Sequence, residues 1–415
     1  MASNLAGSSN SCRGISTGGA ELGGCGFCAA ARWGGGTSRR SVASAYDSPV
    51  HIYVHVPFCA RRCSYCDFAI AVRRATPDDA FVTAIQREWA AHATHASPGT
   101  PVSTLYFGGG TPSRLEPSSI GRLVEMIVSK IGVTDDAELT LETNPDDVTA
   151  ERAAGWVAAG INRVSLGVQS HDPAVLAWMH RTHRADQVAP AIAVLRGAGI
   201  ASVSVDLIFA LPGELQRDWS RDLDRTFALD PDHVSLYGLT VEPHTPLFRW
   251  TERGTAIAAP DERYVEEYLT AHARMTAAGF EHYEVSNAGR PGYRARHNSA
   301  YWRGVDYLGL GPSAHSFAGG VRRWNVREWA DYQARGVRGE SLIAGSEALD
   351  AEAKALERRY LGLRTIDGLP LDEIPADVRS AWHAAGWARV DGDRLRLTVE
   401  GWLRLDALVG AARHS

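Results

Sequence analysis

Short apolar runs alternate with longer amphipathic stretches through the first half of the chain. The runs at 50–56, 102–107, 138–141, 163–168, 202–209 and 233–239 are rich in Val, Ile, Leu and Phe and have strand length. Between them, 78–94, 117–131, 149–159, 186–198 and 216–228 space their apolar residues at helical intervals. Several begin at a cap or proline, as at Thr76-Pro77, Glu116-Pro117 and Thr149, and two close on glycine, Gly160 and Gly199. Six strand–helix units in series predict a parallel sheet with right-handed crossovers. Eight units would close a barrel. Six predict an α/β fold, a partial (β/α)6 barrel with an open side.

The pattern changes twice further on. Residues 241–345 are less regular, with a helix predicted over 261–279, a short strand over 281–286 and a Gly-rich turn at 308–315. From 346 onward, helices at 350–362, 371–374 and 376–385 precede a hairpin turning at Asp391-Gly392-Asp393, and a final helix covers 398–412. Helices followed by a small hairpin predict a winged-helix-like appendage. The expected organisation is therefore a tail over 1–46, a barrel over 47–245, an extension over 246–345 and an appendage over 346–415.

Composition narrows the class. Apolar residues make up 45% of the 415 and charged residues 22%, which suits a globular chain. No apolar run approaches the roughly 18 residues that a membrane span needs. A net charge of -5 argues against a general nucleic-acid binder. Residues 1–46 are rich in Gly, Ser, Ala and Arg, with Glu21 the only acid, and are expected to be disordered. They read either as a plain tail or as an Arg-bearing, acid-poor transit peptide.

The six cysteines fall into two groups, Cys12, Cys25 and Cys28 near the start, and Cys59, Cys63 and Cys66 directly after the first strand. None lies beyond residue 66, so they are not a disulfide framework. An isolated Cys25-Gly26-Phe27-Cys28 is a weak metal signal. The C-x3-C-x2-C loop is a strong one, because thiolates at short spacing bind soft metals and iron–sulfur clusters. Three cysteines on a 4Fe-4S cube leave one iron open to a small molecule. A zinc site is the alternative, but no fourth ligand stands at the usual spacing. Polar residues gather at the carboxyl ends of the predicted strands, where parallel barrels carry their sites: Gly108-Gly109-Gly110-Thr111, Glu142, Gln169 and Asp206.

The cysteine loop and the Gly-rich turn together resemble the radical S-adenosylmethionine superfamily over about residues 50–330. Within it, the chain is similar to oxygen-independent coproporphyrinogen III oxidase and its relatives. The resemblance is carried by Tyr53-Val54-His55-Val56-Pro57-Phe58-Cys59, Phe107-Gly108-Gly109-Gly110-Thr111-Pro112, Glu142, Gln169-Ser170, Arg181, Asp206-Leu207-Ile208 and Gly311-Pro312-Ser313-Ala314. It implies a 4Fe-4S cluster on Cys59, Cys63 and Cys66, with S-adenosylmethionine on the fourth iron. Tyr53 and Tyr65 would border the cofactor near the cluster, and Gly109, Gly110 and Thr111 would meet its methionyl part. Glu142, Gln169 and Arg181 would bind its charged and polar groups, and Asp206 its ribose hydroxyls. A flavodoxin or ferredoxin would donate electrons if radical chemistry occurs.

Two features select within that group. Where the oxidase pattern carries a fourth cysteine, this chain has Phe68. It also carries His297-Asn298-Ser299-Ala300-Tyr301-Trp302. Both features resemble the HemW-type haem chaperones. That resemblance implies a cytoplasmic protein that binds haem and delivers it to apo-haemoproteins, respiratory ones in particular. Coproporphyrinogen III decarboxylation is the competing expectation. Imidazole suits iron, and Tyr301 and Trp302 offer flat apolar surface, so His297 is the expected haem ligand, with His55 and His315 as rivals.

Overall fold

A computed structural model describes residues 50–93 and 100–412. The expected tail at 1–46, with Cys12, Cys25 and Cys28, lies outside them. Strand β1 (Val50–Val56) shows how alternation builds the fold. Val50, Ile52, Val54 and Val56 enter an apolar core shared with the covering helices. His51, Tyr53 and His55, at the alternate positions, hydrogen-bond on the other face.

The chain then forms a two-stranded parallel pair, β2 (Phe58–Cys59) and β3 (Ala71–Val72), which closes the cysteine loop. Next come α1 (Asp78–Ala93), β4 (Val102–Gly109), α2 (Pro117–Ile131), β5 (Val133–Thr143), α3 (Ala150–Ala158) and β6 (Arg163–Gln169). They are followed by α4 (Pro173–Trp178), α5 (Val188–Ala198), β7 (Ser202–Phe209), α6 (Trp219–Ala228) and β8 (His233–Gly238). All six expected strands and five expected helices of the partial barrel are present. The short helix α4 is an addition, too brief to show a period.

Beyond the barrel lie α7 (Pro246–Glu252), α8 (Asp261–Ala277), the strands β9 (Glu281–Glu284) and β10 (Asn287–Gly289), α9 (Arg296–Trp302) and β11 (Leu308–Leu310). Among the described residues the main sheet has nine strands, in the order β11-β1-β4-β5-β6-β7-β8-β10-β9. Neighbours from β11 through β8 run parallel, and β10 and β9 are antiparallel. β11 corrects the expected turn at 308–315: Leu-Gly-Leu is too short to read as a strand, and pairing with β1 makes it one.

A second sheet follows, β12 (His315–Ala318), β13 (Val321–Asn325) and β14 (Ile343–Ala348), with α10 (Trp329–Arg338) inserted before its last strand. β14 crosses the expected boundary between 345 and 346. Its residues are mostly exposed, so they carry no hydrophobic alternation to read. The appendage contains α11 (Ala351–Leu363), β15 (Leu369–Pro370), α12 (Ala376–Ala384), β16 (Ala388–Asp391), β17 (Arg394–Leu397), α13 (Val399–Trp402) and α14 (Leu405–Ala411). It has its own core around Leu363, Trp382, Leu395 and Trp402. The single helix expected over 398–412 is broken at Leu403-Arg404, and Trp402 and Leu405 both reach that core.

The concave face of the sheet is polar, unlike the usual parallel sheet with two apolar faces. Thr104 and Tyr106 of β4, Glu138, Thr140 and Glu142 of β5, and Arg163 and Ser165 of β6 alternate with core residues Leu105, Phe107, Leu139, Leu141 and Val164. Register aligns them in layers: His51 pairs with Thr104, Thr104 with Glu138, and Glu142 with Ser165. α9 plugs the amino-terminal end of this interior. Glu138 accepts hydrogen bonds from the backbone N–H of Arg296 and His297, at 2.9 and 2.8 Å. That carboxylate satisfies two orphan donors at the helix start.

Candidate cofactor site

The opposite, carboxyl end of the sheet carries a cavity of ≈ 280 Å³. Cys59, Cys63 and Cys66 border it, with Tyr65 and Phe68 of the same loop. Gly109, Gly110 and Thr111 follow β4, and Glu142, Gln169 and Asp206 come from β5, β6 and β7. Arg181 enters from the segment after α4. The structure thus brings together every expected cofactor-site residue except Tyr53, which lies behind the wall. Its hydroxyl bonds to His55 Nδ1 at 3.1 Å and its ring stacks on Tyr106.

The cysteine loop is held from several sides. Phe58 packs edge-on against Phe81 and Trp329, anchoring the loop's entry in the core. The Ser64 N–H donates to Met179 O, and Ser64 O accepts from Leu247 N. His55 Nε2 bonds to Ala69 O at 2.9 Å. Thr111 Oγ1 lies 3.5 Å from Cys59 Sγ, and Arg181 Nη1 lies 3.7 Å from Cys63 Sγ. Burial pushes the Cys59 thiol up to about 11 and the Cys66 thiol up to about 12. Both therefore need a cationic partner such as iron to become thiolates.

The Gly-rich turn is a close approach of backbones. A Cβ on Gly110 would sit 2.8 Å from Pro57 O and 2.9 Å from Phe58 O. Gly109 has φ +111, and its missing side chain leaves room for the His55 ring. The Gly109 N–H donates to Glu142 Oε2 at 3.0 Å, and Tyr106 Oη donates to Glu142 Oε1 at 2.7 Å. The carboxylate is thereby fixed by two donors, of which the sequence named Gly109 for another role and did not single out Tyr106. Tyr106 was open to discovery, since it stands two positions before Gly108 on the concave side of its strand.

Arg181 is similarly fixed. Its Nη2 donates to Asn144 Oδ1 at 2.5 Å and to Gly167 O at 2.7 Å, while its buried Nε has no partner among the described residues. Gly167 clears space for this cluster, because a Cβ there would meet the Gln169, Arg181 and Asn144 side chains. Asp206 accepts from Ser165 Oγ at 2.9 Å. Burial, reinforced by the nearby Glu142 carboxylate, raises its pKa to about 6.

This donor set fits the implied group. The three cysteines are free thiols. Among the described residues no three His, Cys, Asp or Glu side chains converge on one ion. A single tetrahedral zinc needs that convergence, whereas a four-iron cube presents its corners to separate thiolates. A carboxylate, an amide, a guanidinium and a second carboxylate then line the space beyond, matching a zwitterionic amino acid joined to a nucleoside.

The expected haem residues lie elsewhere. His297 is 1% exposed, with Nδ1 at 2.7 Å from Thr104 Oγ1 and Nε2 at 2.7 Å from Tyr301 Oη. Trp302 is buried against the Arg364 guanidinium. His55 also uses both ring nitrogens and is fully buried. His315 stacks on Trp324 in the second sheet and does not border the cavity.

Known proteins share this architecture. Residues 53–225 match the radical SAM superfamily model. The coproporphyrinogen III oxidase HemN of Escherichia coli superposes with a TM-score of 0.77 over 89% of this chain and 91% of that one, at 22% identity, a likeness of fold. The fold and the rim site thus define a radical SAM protein. The haem chaperone HemW of Mycobacterium tuberculosis is 40% identical over 368 residues, 87% of this chain and 94% of that protein. HemW of Synechocystis is 35% identical over 80% of this chain and 82% of its own. The chain belongs to the HemW haem-chaperone family.

Proposed function

We propose that the chain binds haem and hands it to apo-haemoproteins, respiratory ones among them, in the cytoplasm. In this reading Cys59, Cys63 and Cys66 hold three irons of a 4Fe-4S cluster, and S-adenosylmethionine occupies the side of the rim cavity lined by Gly109, Glu142, Gln169 and Asp206. When bound, the reduced cluster supplies the electron that can cleave the sulfonium, with a flavodoxin or ferredoxin as donor. Tyr65 borders the cluster end. Gly109, Gly110 and Thr111 meet the methionyl part through backbone groups.

The chain's own groups prepare the site. Tyr106 Oη and the Gly109 N–H aim Glu142 into the cavity. Arg181 places a positive charge beside Cys63. Gln169 and Asp206 offer polar groups to the nucleoside end, Asp206 as a carboxylate above pH 6. His297, Tyr301 and Trp302 act in this reading as a post closing the barrel floor, and Tyr53 braces the wall.

The observation that carries the chaperone reading is Phe68, which lines the same cavity as the full cofactor rim. It stands where the related oxidase pattern has its fourth cysteine. Family membership supports the same reading. No described helix is long and apolar enough to cross a membrane.

The test is anaerobic. The reconstituted chain receives S-adenosylmethionine, reductant and coproporphyrinogen III, and separately haem and an apo-haemoprotein. Stoichiometric haem binding followed by transfer is expected. Turnover to protoporphyrinogen IX would overturn the reading in favour of the oxidase. Haem binding without transfer would turn it toward a sensor.

A further inference from the structure

The mouth of the rim cavity carries an imidazole that the cofactor assignment does not use. His180 follows α4, lines the cavity and is half-buried. No described residue hydrogen-bonds its ring nitrogens. Its contact is an edge-on approach to the Trp250 indole, with centroids 5.4 Å apart. Trp250 in turn lies 5.6 Å from Trp178, and both indoles are half-buried. Trp178 and Tyr65 pack on an apolar base of Val175, Met179, Ile208 and Leu211. Arg61 borders the same cavity, exposed and without an ion-pair partner among the described residues.

An accessible imidazole, a half-buried indole pair beside it and a guanidinium without an ion-pair partner among the described residues match one ligand chemistry: an iron porphyrin with propionate arms. We infer that His180 is the axial ligand of bound haem, which lies against Trp178 and Trp250 with its propionates toward Arg61. The inference rests on the haem-chaperone reading. It differs from the ligand expected of His297, where ligation would first have to break a hydrogen bond to Thr104 or Tyr301 inside the barrel. A cargo that must leave also suits a ligand at a cavity mouth better than one sealed in a core. His180 sits at φ 60, so glycine can replace it there without backbone strain.

The experiment titrates hemin into the full reconstituted chain and into His180→Gly, following the Soret band. Circular dichroism and the thermal midpoint confirm that both are folded. His180→Gly should bind at least ten-fold more weakly with a shifted Soret maximum, and free imidazole should restore the wild-type spectrum. Trp250→Ala should weaken binding without changing the wild-type Soret position. A His180→Gly protein with wild-type affinity and spectrum would overturn the assignment alone. A wild-type chain that binds no hemin would overturn the chaperone reading with it.

Discussion

His297 Nε2 lies 2.7 Å from Tyr301 Oη, one turn along the same helix. Its other nitrogen meets Thr104, which also bonds to His51 Nδ1 at 2.9 Å. The imidazole therefore ties α9 to the barrel floor through a buried chain of polar groups. Replacing it by alanine leaves the Tyr301 hydroxyl without this partner, leaves Thr104 only its bond to His51 and opens a void, at a cost of about 3 kcal/mol. His297→Ala should lower the thermal midpoint by several degrees. The fraction that stays folded should keep wild-type hemin affinity. A clear loss of affinity at unchanged stability would make His297 a haem ligand instead.

Cys63 faces Arg181 at the cavity wall, and its loop neighbour Ser64 is tied to both Met179 and Leu247. Cys63→Ser keeps the volume but exchanges a soft donor for a hard one. The chain should still fold, with cluster absorbance abolished and iron content reduced to background. A serine variant retaining the full cluster would refute ligation by three cysteines.

The sheet was legible because its apolar positions alternate within single strands. Val50, Ile52, Val54 and Val56 need no distant information to be read as one face. Gly109, Gly110, Thr111, Glu142, Gln169 and Asp206 were legible for a related reason, since each stands near the carboxyl end of a strand that could be read, whereas Arg181 was reached only through the family resemblance. What holds them was not. Tyr106 reaches Glu142 across 36 residues, and Thr104 reaches His297 across 193. Such pairs depend on register between strands, which no local pattern encodes. The resemblance of 297–302 to a haem motif suggested an open ligand, but residue types do not say whether a ring nitrogen is free. His180 was passed over for the converse reason: its backbone conformation and its lack of partners exist only in the fold.

Gly110 offers a contrast with Gly197. A Cβ at Gly110 would press on the Pro57 and Phe58 backbones that lead into Cys59. At Gly197, exposed within α5, a Cβ meets nothing within 4 Å. Gly110→Ala should displace the loop and cut cluster occupancy several-fold. Gly197→Ala should retain the cluster and gain about 0.5–1 kcal/mol of stability from helix propensity. Equal cluster content in the two variants would remove the close-approach argument.

Glu88 is buried among three donors, with no ion-pair partner among the described residues. Gly311 N and Tyr332 Oη approach its Oε2 at 2.7 and 2.5 Å, and Asn325 Nδ2 approaches Oε1 at 2.5 Å. Burial, partly offset by these bonds, raises its pKa from 4.5 to about 7. The folded chain thus keeps a proton that the unfolded chain releases between those values. Its contribution is full below pH 4.5 and is lost as pH rises through 7, to the extent of about 3 kcal/mol. Glu88→Gln should gain stability relative to wild type as pH rises from 5 to 8, measured by denaturant unfolding of both proteins at each pH. Parallel curves for the two proteins would show Glu88 ionised throughout.

Buried histidines act with the opposite sign. Burial lowers His51, His55, His171 and His315 to about 4, and His183 and His282 to about 3. All are under a tenth exposed. Each stays neutral in the folded chain while its unfolded counterpart takes up a proton near 6.5. Their contribution is therefore full above pH 6.5 and is lost as pH falls toward 4. At pH 5 each has given up about 2 kcal/mol, so six together approach the roughly 5–15 kcal/mol that stabilises a folded domain. Glu88 offsets only one of them in this window. The thermal midpoint should fall steeply between pH 6.5 and 5, with several protons taken up on unfolding. A midpoint that holds level across that interval would mean that these imidazoles are already charged in the native state.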